Sequence, residues 1–137
     1  MKIMRSILAI IAIALFSAPV WAHHTWAVWD ATKSITVKGK LTKVEWANPH
    51  AWTYIDVMSE KTGKPVNYAV EMGSLGKLTQ IGLSKDSVPM GGEVVIQGWP
   101  AKDGTPKISG QSMTFGSRLW VLSGTPPVPA SSAAPQR

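Results

Sequence analysis

Three histidines carry the most specific chemistry in this 137-residue sequence. His23 and His24 are adjacent near the amino terminus, and His50 directly follows Asn48-Pro49. Imidazole nitrogens are ligands for zinc, copper, iron and nickel ions. The sequence contains no cysteine, which excludes a thiolate metal site and a thiolate nucleophile. Chemistry at nitrogen ligands is therefore the first function that the sequence suggests.

The residues before His23 predict a secretory signal peptide, residues 1–22. A positively charged start precedes an apolar stretch, residues 7–16, that is too short to span a bilayer as a stable helix. Val20 and Ala22 then supply the small-residue pattern that signal peptidase recognises. Cleavage after Ala22 predicts a periplasmic protein that begins at His23. An uncleaved amino-terminal anchor is the alternative.

Cleavage at this position would turn His23 into a chelating group. Its free α-amine and ring Nδ1 would bind one metal ion, and a further imidazole would complete a T-shaped set of three nitrogens. Such a set favours Cu(II), and the α-amine, with a reference pKa of about 8, loses its proton easily to a metal. His50 is the predicted third ligand, with His24 as the alternative. Asp30 and Glu45 are predicted outer hydrogen-bond partners.

A structural role is the competing interpretation of these histidines. His23 and His24 would then form only a polar, frayed terminus. The ring of His50 would cap a backbone group in its turn.

A second candidate site is aromatic. Trp52 and Tyr54 share one face of a predicted strand with His50, because residues two apart point to the same side. Aromatic rings on the middle strands of small barrels stack on sugars or bases. This favours a metal-free module that binds a glycan, peptide or envelope protein. The alternative is that both rings pack under Trp26 and Trp29 in a second small core.

Charge and motif content narrow the function classes. With 14 Lys and Arg against 8 Asp and Glu, the formal net charge is +6, and it falls to about +4 when Lys2 and Arg5 leave with the signal peptide. No block of like charge stands out, and the export signal argues against a nucleic-acid partner. The acidic residues show no pairing for acid/base catalysis, and no phosphate loop or nucleophile elbow is present. A binding protein is therefore favoured over an enzyme, with copper as its one suggested cofactor and with no membrane span after cleavage.

Apolar alternation predicts a mainly β fold for residues 23–123 as one domain. A shift in the alternation near Thr42-Lys43 indicates a β-bulge. Ser74 and Gly82 are predicted to begin and end a two-turn helix, and Glu71 is a candidate anchor for its start. The predicted strands cover residues 34–46, 51–58, 66–72, 93–99, 107–115 and, as a short addition, 119–122.

The element order predicts the architecture. Three strands, one short helix and two strands are typical of a five-stranded Greek-key barrel of the oligonucleotide/oligosaccharide-binding (OB) type. A small β-sandwich is the alternative. Residues 124–137 are rich in Pro, Ala and Ser without apolar periodicity, which predicts a disordered tail.

Several motifs coincide with those of a known family. They are His23-His24-Thr25-Trp26 with Asp30, the segment 44–50 that ends in Asn-Pro-His, Glu71-Met72-Gly73-Ser74, and Gly91-Gly92-Glu93-Val94. In these motifs, over about residues 1–122, the chain resembles domain-of-unknown-function family 6152, whose members are exported bacterial proteins.

The sequence departs from that family pattern at three positions. Thr25, Leu75 and Leu83 stand where the family often has Ser, Pro and Trp. These changes affect the helix cap and its packing and leave the three histidines in place. The resemblance implies a periplasmic location and a small β-rich fold, and it implies no activity.

Overall fold

The computed structural model of the protein describes residues 28–123. The signal-peptide prediction (residues 1–22), His23, His24, Trp26 and the predicted tail (residues 124–137) lie outside the described residues. Within the described range, the strands and the helix are β1 (Ile35–Glu45), β2 (Ala51–Met58), β3 (Pro65–Gly73), α1 (Leu75–Gln80), β4 (Glu93–Pro100), β5 (Lys107–Phe115) and β6 (Arg118–Val121).

The strands form one sheet that closes on itself. Their order is β3-β2-β1-β4-β5-β6, and a short parallel pairing between β3 and β5 closes the first five strands into a barrel. The predicted five-stranded barrel, with its helix between β3 and β4, is confirmed. The strand β6 lies outside the closed barrel and pairs antiparallel with the second half of β5.

The bulge predicted in β1 is confirmed. Leu41 pairs with Ile55 and Lys43 pairs with Tyr54, so Thr42 is the extra residue. A second irregularity, which the sequence did not predict, lies between β4 and β5. Gln97 pairs with Ser112 and Gly98 pairs with Gly110, so Gln111 is the extra residue on β5. A bulge lets a strand bend sharply, as closure of a small barrel requires.

The barrel interior is apolar and tightly packed. Ile55, Val70, Ile96 and Ile108 are fully buried and come from four different strands. At Gly98 the strands approach so closely that an added Cβ would lie 2.2 Å from the Ser109 carbonyl oxygen. Glycine is therefore needed there for space.

The helix α1 begins after Ser74 and ends before Gly82, as the sequence predicts. Gly82 has a φ of +74° and terminates the helical segment, as predicted. Ser74 occupies the N-cap position, but its side chain makes no capping hydrogen bond. The backbone N–H of Leu75 instead donates to Oδ1 of Asn48 at 3.4 Å, so the Asn48-Pro49 turn supports the helix start. Among residues 28–123, no helix has the length and apolarity required to cross a membrane.

Candidate functional site

A cavity of about 440 Å³ opens at the seam of the barrel. The parallel pairing of β5 with β3 reaches Ser109 and Glu71, and its pairing with β6 begins at Ser112. Gly110 and Gln111 lie in the gap between these two pairings, and both line the cavity. The cavity is therefore formed where β5 exchanges one neighbouring strand for another.

A polar contact between His50 and Glu71 lies on the cavity wall. The antiparallel register of β2 and β3 pairs Trp52 with Glu71 and Ala51 with Gly73. This register brings His50, at the end of its turn, beside the Glu71 carboxylate. The contact joins Nδ1 of His50 to Oε1 of Glu71, and the side chains are 39% and 11% exposed.

The orientation of the His50 ring has a chemical consequence. With Nδ1 directed to a carboxylate, Nε2 is left to bind another partner. Metal-binding histidines in proteins commonly use one ring nitrogen for the metal and donate the other N–H to a carboxylate, which fixes the ring and raises its basicity. Glu71 therefore supplies the outer partner that a His50 metal ligand needs. The sequence predicts Glu71 only as an anchor for the helix start, because apolar alternation shows which face of a strand a residue occupies but not which residue lies across from it.

The beginning of the described chain is attached to the rim of this cavity. The carbonyl oxygen of Val28 accepts a hydrogen bond from the backbone N–H of Lys102, and the backbone N–H of Asp30 donates to the Pro100 carbonyl, both at 2.9 Å. Between them, Trp29 pairs with Ala101 and is only 7% exposed. Trp29 also lines the cavity. The described part of the chain thus begins beside the His50 cavity.

The two acids predicted as outer partners make other contacts. The Asp30 carboxylate accepts a 2.5 Å hydrogen bond from the Thr32 hydroxyl and pairs with Lys33 at 2.9 Å. These contacts, the Thr32 bond first, lower the pKa of Asp30 to about 2. Asp30 therefore holds together the turn that follows Trp29.

Glu45 belongs to a cluster on the outer face of β1 and β2, which we name the Tyr54 cluster: Lys43, Glu45 and Tyr54. Glu45 pairs with Lys43 through Oε1 and accepts the Tyr54 hydroxyl at 3.0 Å through Oε2. The Lys43 ammonium lies 5.1 Å from the centre of the Tyr54 ring. Hydrogen bonding, first from Lys43, lowers the pKa of Glu45, whereas burial and then Glu45 raise the pKa of Tyr54.

The predicted aromatic face is present. Trp52 lies on it, between the His50–Glu71 pair and the Tyr54 cluster. Trp52 is half-buried and is the cross-strand partner of both Glu45 and Glu71. Tyr54 occupies the same face, but its hydroxyl and ring already contact Glu45 and Lys43. Trp29 pairs with Ala101 and lines the cavity together with His50 and Glu71.

Only one of the predicted metal ligands, His50, lies within the described residues. Within residues 28–123, no group of three or more His, Cys, Asp or Glu side chains is arranged to hold a metal ion. His50 offers one nitrogen, with Glu71 behind it. The other predicted nitrogens belong to His23 and His24, which lie outside the described residues.

The chain matches a protein-family model. The model described as "Family of unknown function (DUF6152)" matches residues 11–110. A comparison with curated proteins finds no match. The matched range covers most of the sequence and includes His23, His50 and Glu71. The chain therefore belongs to the family of unknown function DUF6152.

Proposed function

We propose that the protein binds a copper(II) ion in the periplasm after cleavage behind Ala22. The ligands are the α-amine and ring of His23 and Nε2 of His50, with His24 as a further nitrogen donor. The observation that carries the proposal is the His50–Glu71 pair, which directs Nδ1 of a cavity-lining histidine to a carboxylate and so leaves Nε2 as the nitrogen for a metal.

The length of the lead-in segment supports this ligand set. Val28 is five residues after His23, and five extended residues span at most about 18 Å. Trp29, the next residue, lines the same cavity as His50. Cleavage after Ala22 would therefore leave His23 within about 18 Å of Val28, a distance compatible with the proposed ligand set.

The chemistry of the donors fits copper better than the hard divalent ions. An amine and imidazoles are borderline nitrogen ligands, and they favour Cu(II), whereas Mg²⁺ and Ca²⁺ require several oxygens. The carboxylate of Glu71, 11% exposed, also places a negative charge near the added positive charge. A copper ion bound there would serve metal binding or delivery, which requires no catalytic residue.

The test uses the product exported by a bacterial host from the full chain, with its amino terminus verified by mass spectrometry. We expect one copper(II) ion per chain in a calorimetric titration, with a nitrogen-rich electron paramagnetic resonance spectrum. The matched control carries one additional alanine between Ala22 and His23 and is cleaved before that alanine. Loss of tight binding in the control supports the chelate, and equal binding by both forms contradicts it.

A second candidate function is metal-free binding of a glycan, peptide or protein on the face of Trp52 and Tyr54. The half-buried indole of Trp52 supports this candidate. The contacts of Tyr54 with Glu45 and Lys43 weigh against its ring as a stacking surface. Tryptophan fluorescence that responds to cell-wall fragments in the presence of a chelator, and is lost in Trp52→Ala, would favour this candidate over copper binding.

A further inference from the structure

We propose that the seam cavity binds a neutral sugar ring against an aromatic wall formed by Trp29 and Trp99. This site is distinct from the face of Trp52 and Tyr54, because Trp52 lies next to the cavity without lining it. The inference goes beyond copper binding and does not require it, since it concerns an organic ligand of the metal-free protein.

The strand register places an aromatic and an acidic side chain on opposite sides of the cavity. On β5, Ser109 pairs with Trp99 of β4 on one side and with Glu71 of β3 on the other. Residues directly opposite one another in a sheet share a face, and all three of these residues line the cavity. Because neighbouring strands are about 4.8 Å apart, the small Ser109 side chain forms the floor of a groove about 10 Å wide.

Trp29 extends the aromatic side of this groove. It pairs with Ala101, which is two residues after Trp99 and therefore on the same face. Both indole rings line the cavity. An indole presents a broad apolar surface, and the carbon-bound hydrogens on one face of a pyranose ring form a matching surface. The cavity volume of about 440 Å³ lies within the range of small-molecule pockets, about 300–1,000 Å³.

Polar side chains supply hydrogen-bonding groups for the edge of such a ring. Gln111, the extra residue of the β5 bulge, lines the cavity and is only 8% exposed. Its carboxamide accepts from the Ser123 hydroxyl and donates to the Ser109 carbonyl oxygen at 3.4 Å, and a carboxamide has a second N–H and a second lone pair. Oε2 of Glu71 likewise has acceptor capacity beyond the Oε1 contact with His50. The wall can therefore donate to sugar hydroxyls and accept from them.

The charges around the cavity favour a neutral ligand. The carboxylate of Glu71 on one wall opposes an anion, and Lys77, an exposed residue of α1 that also lines the cavity, opposes a cation. A purely apolar ligand would remove water from Glu71 and Gln111 without replacing its hydrogen bonds, which costs free energy. A neutral molecule with one apolar face and several hydroxyl groups therefore fits the cavity best.

The experiment is a saturation-transfer NMR titration of the exported protein with chitobiose, the neutral disaccharide of N-acetylglucosamine, in excess metal chelator. We expect saturable binding of chitobiose and weaker binding of its deacetylated form, which has the same rings but is positively charged. Trp99→Ala should weaken binding at least about 10-fold, because stacking on one aromatic ring contributes a factor of this size, whereas Trp99→Phe should retain most of it. Ser109→Leu should abolish binding by filling the floor of the groove.

Trp52→Ala is the matched aromatic control and should leave the affinity for chitobiose unchanged. Urea unfolding verifies that each variant is folded, and Ser109→Leu, which removes no aromatic ring, tests the site if Trp99→Ala does not fold. No saturable binding by the wild-type protein, equal or tighter binding of the deacetylated form, or unchanged affinity in both Trp99→Ala and Ser109→Leu would overturn the proposal. Because the measurement is made without metal, a failure of copper binding leaves its outcome unchanged, and the two proposals fail separately.

Discussion

The His50–Glu71 pair and the Tyr54 cluster lie on the same outer face of the barrel, with Trp52 between them, and they use their polar groups differently. In the Tyr54 cluster, Glu45 accepts from both Lys43 and Tyr54, and Lys43 also covers the Tyr54 ring. At the cavity of about 440 Å³, the contact with Glu71 occupies only one of the two ring nitrogens of His50.

The position of each group in the sheet explains the difference. Tyr54 is in the middle of β2, where it has cross-strand neighbours in β1 and β3, Lys43 and Ala69. Polar side chains in such a ladder find partners across the strands. His50 precedes β2, at a turn beside the seam where β5 changes neighbours. A polar group at a strand end next to a gap keeps the capacity to bind something else, so the seam is where function is expected.

Removal of the His50 ring is the strongest test of this contrast. We expect His50→Ala to lower copper affinity by more than about 100-fold, because loss of an outer partner alone typically costs about 10–100-fold and this change removes a ligand. Tyr54→Phe, the matched change in the Tyr54 cluster, should leave the affinity unaltered. Competition titration with a copper chelator measures both. Unchanged affinity in His50→Ala would remove His50 from the site.

Glu71 tests whether the carboxylate positions the histidine. We expect Glu71→Gln to lower copper affinity about 10–100-fold while stoichiometry stays at one. Glu45→Gln, which neutralises the carboxylate of the Tyr54 cluster, should leave affinity as it is. Nitrogen hyperfine coupling in the copper spectrum should change only in Glu71→Gln, and equal effects of the two substitutions would contradict a positioning role.

The seam itself can be strained by one methyl group. We expect Gly98→Ala to lower the free energy of unfolding by about 1–3 kcal/mol, because its Cβ would lie 2.2 Å from the Ser109 carbonyl oxygen, beside the cavity. The control is Gly76→Ala in α1, where no atom lies within 4 Å of an added Cβ, and alanine should stabilise the helix slightly. Urea unfolding measures both. A neutral Gly98→Ala would show that the seam tolerates expansion.

The smallest expected effect is the pH dependence of the Tyr54 cluster. The lowered pKa of Glu45 means that its contribution to stability is present above its ordinary pKa of about 4.3 and is lost as the pH falls. The raised pKa of Tyr54 means that its contribution is present below about 10 and is lost as the pH rises.

Urea unfolding of wild type and Glu45→Gln from pH 3 to pH 11 tests this pH dependence of stability. The stability difference between them should be small at neutral pH and should vanish at the acidic end, since the exposed ion pair contributes little. A difference that grows on acidification would have the wrong sign for a lowered pKa.

Local sequence patterns were sufficient for the strands, the first bulge and the end of the helix. The apolar alternation shifts by one residue near Thr42, and this shift indicates the bulge directly. One extra residue moves every later side chain of the strand to the opposite face. Gly82 ends α1 through its positive φ. The bulge at Gln111 was missed because Gly110, Gln111 and Ser112 show no apolar alternation that an extra residue could shift.

Only part of the candidate site could be predicted from the sequence. The sequence by itself identified His50 as a candidate ligand, because its residue type and the turn before it are both visible in the sequence. Glu71, the seam cavity and the attachment of Trp29 to the loop at Ala101 were decided only by the tertiary structure. Alternation determines which face a side chain takes, whereas its neighbours depend on the register between strands and on where the barrel closes. For the same reason the sequence predicted Asp30 and Glu45 as outer partners, whereas the register brings Glu71 beside His50.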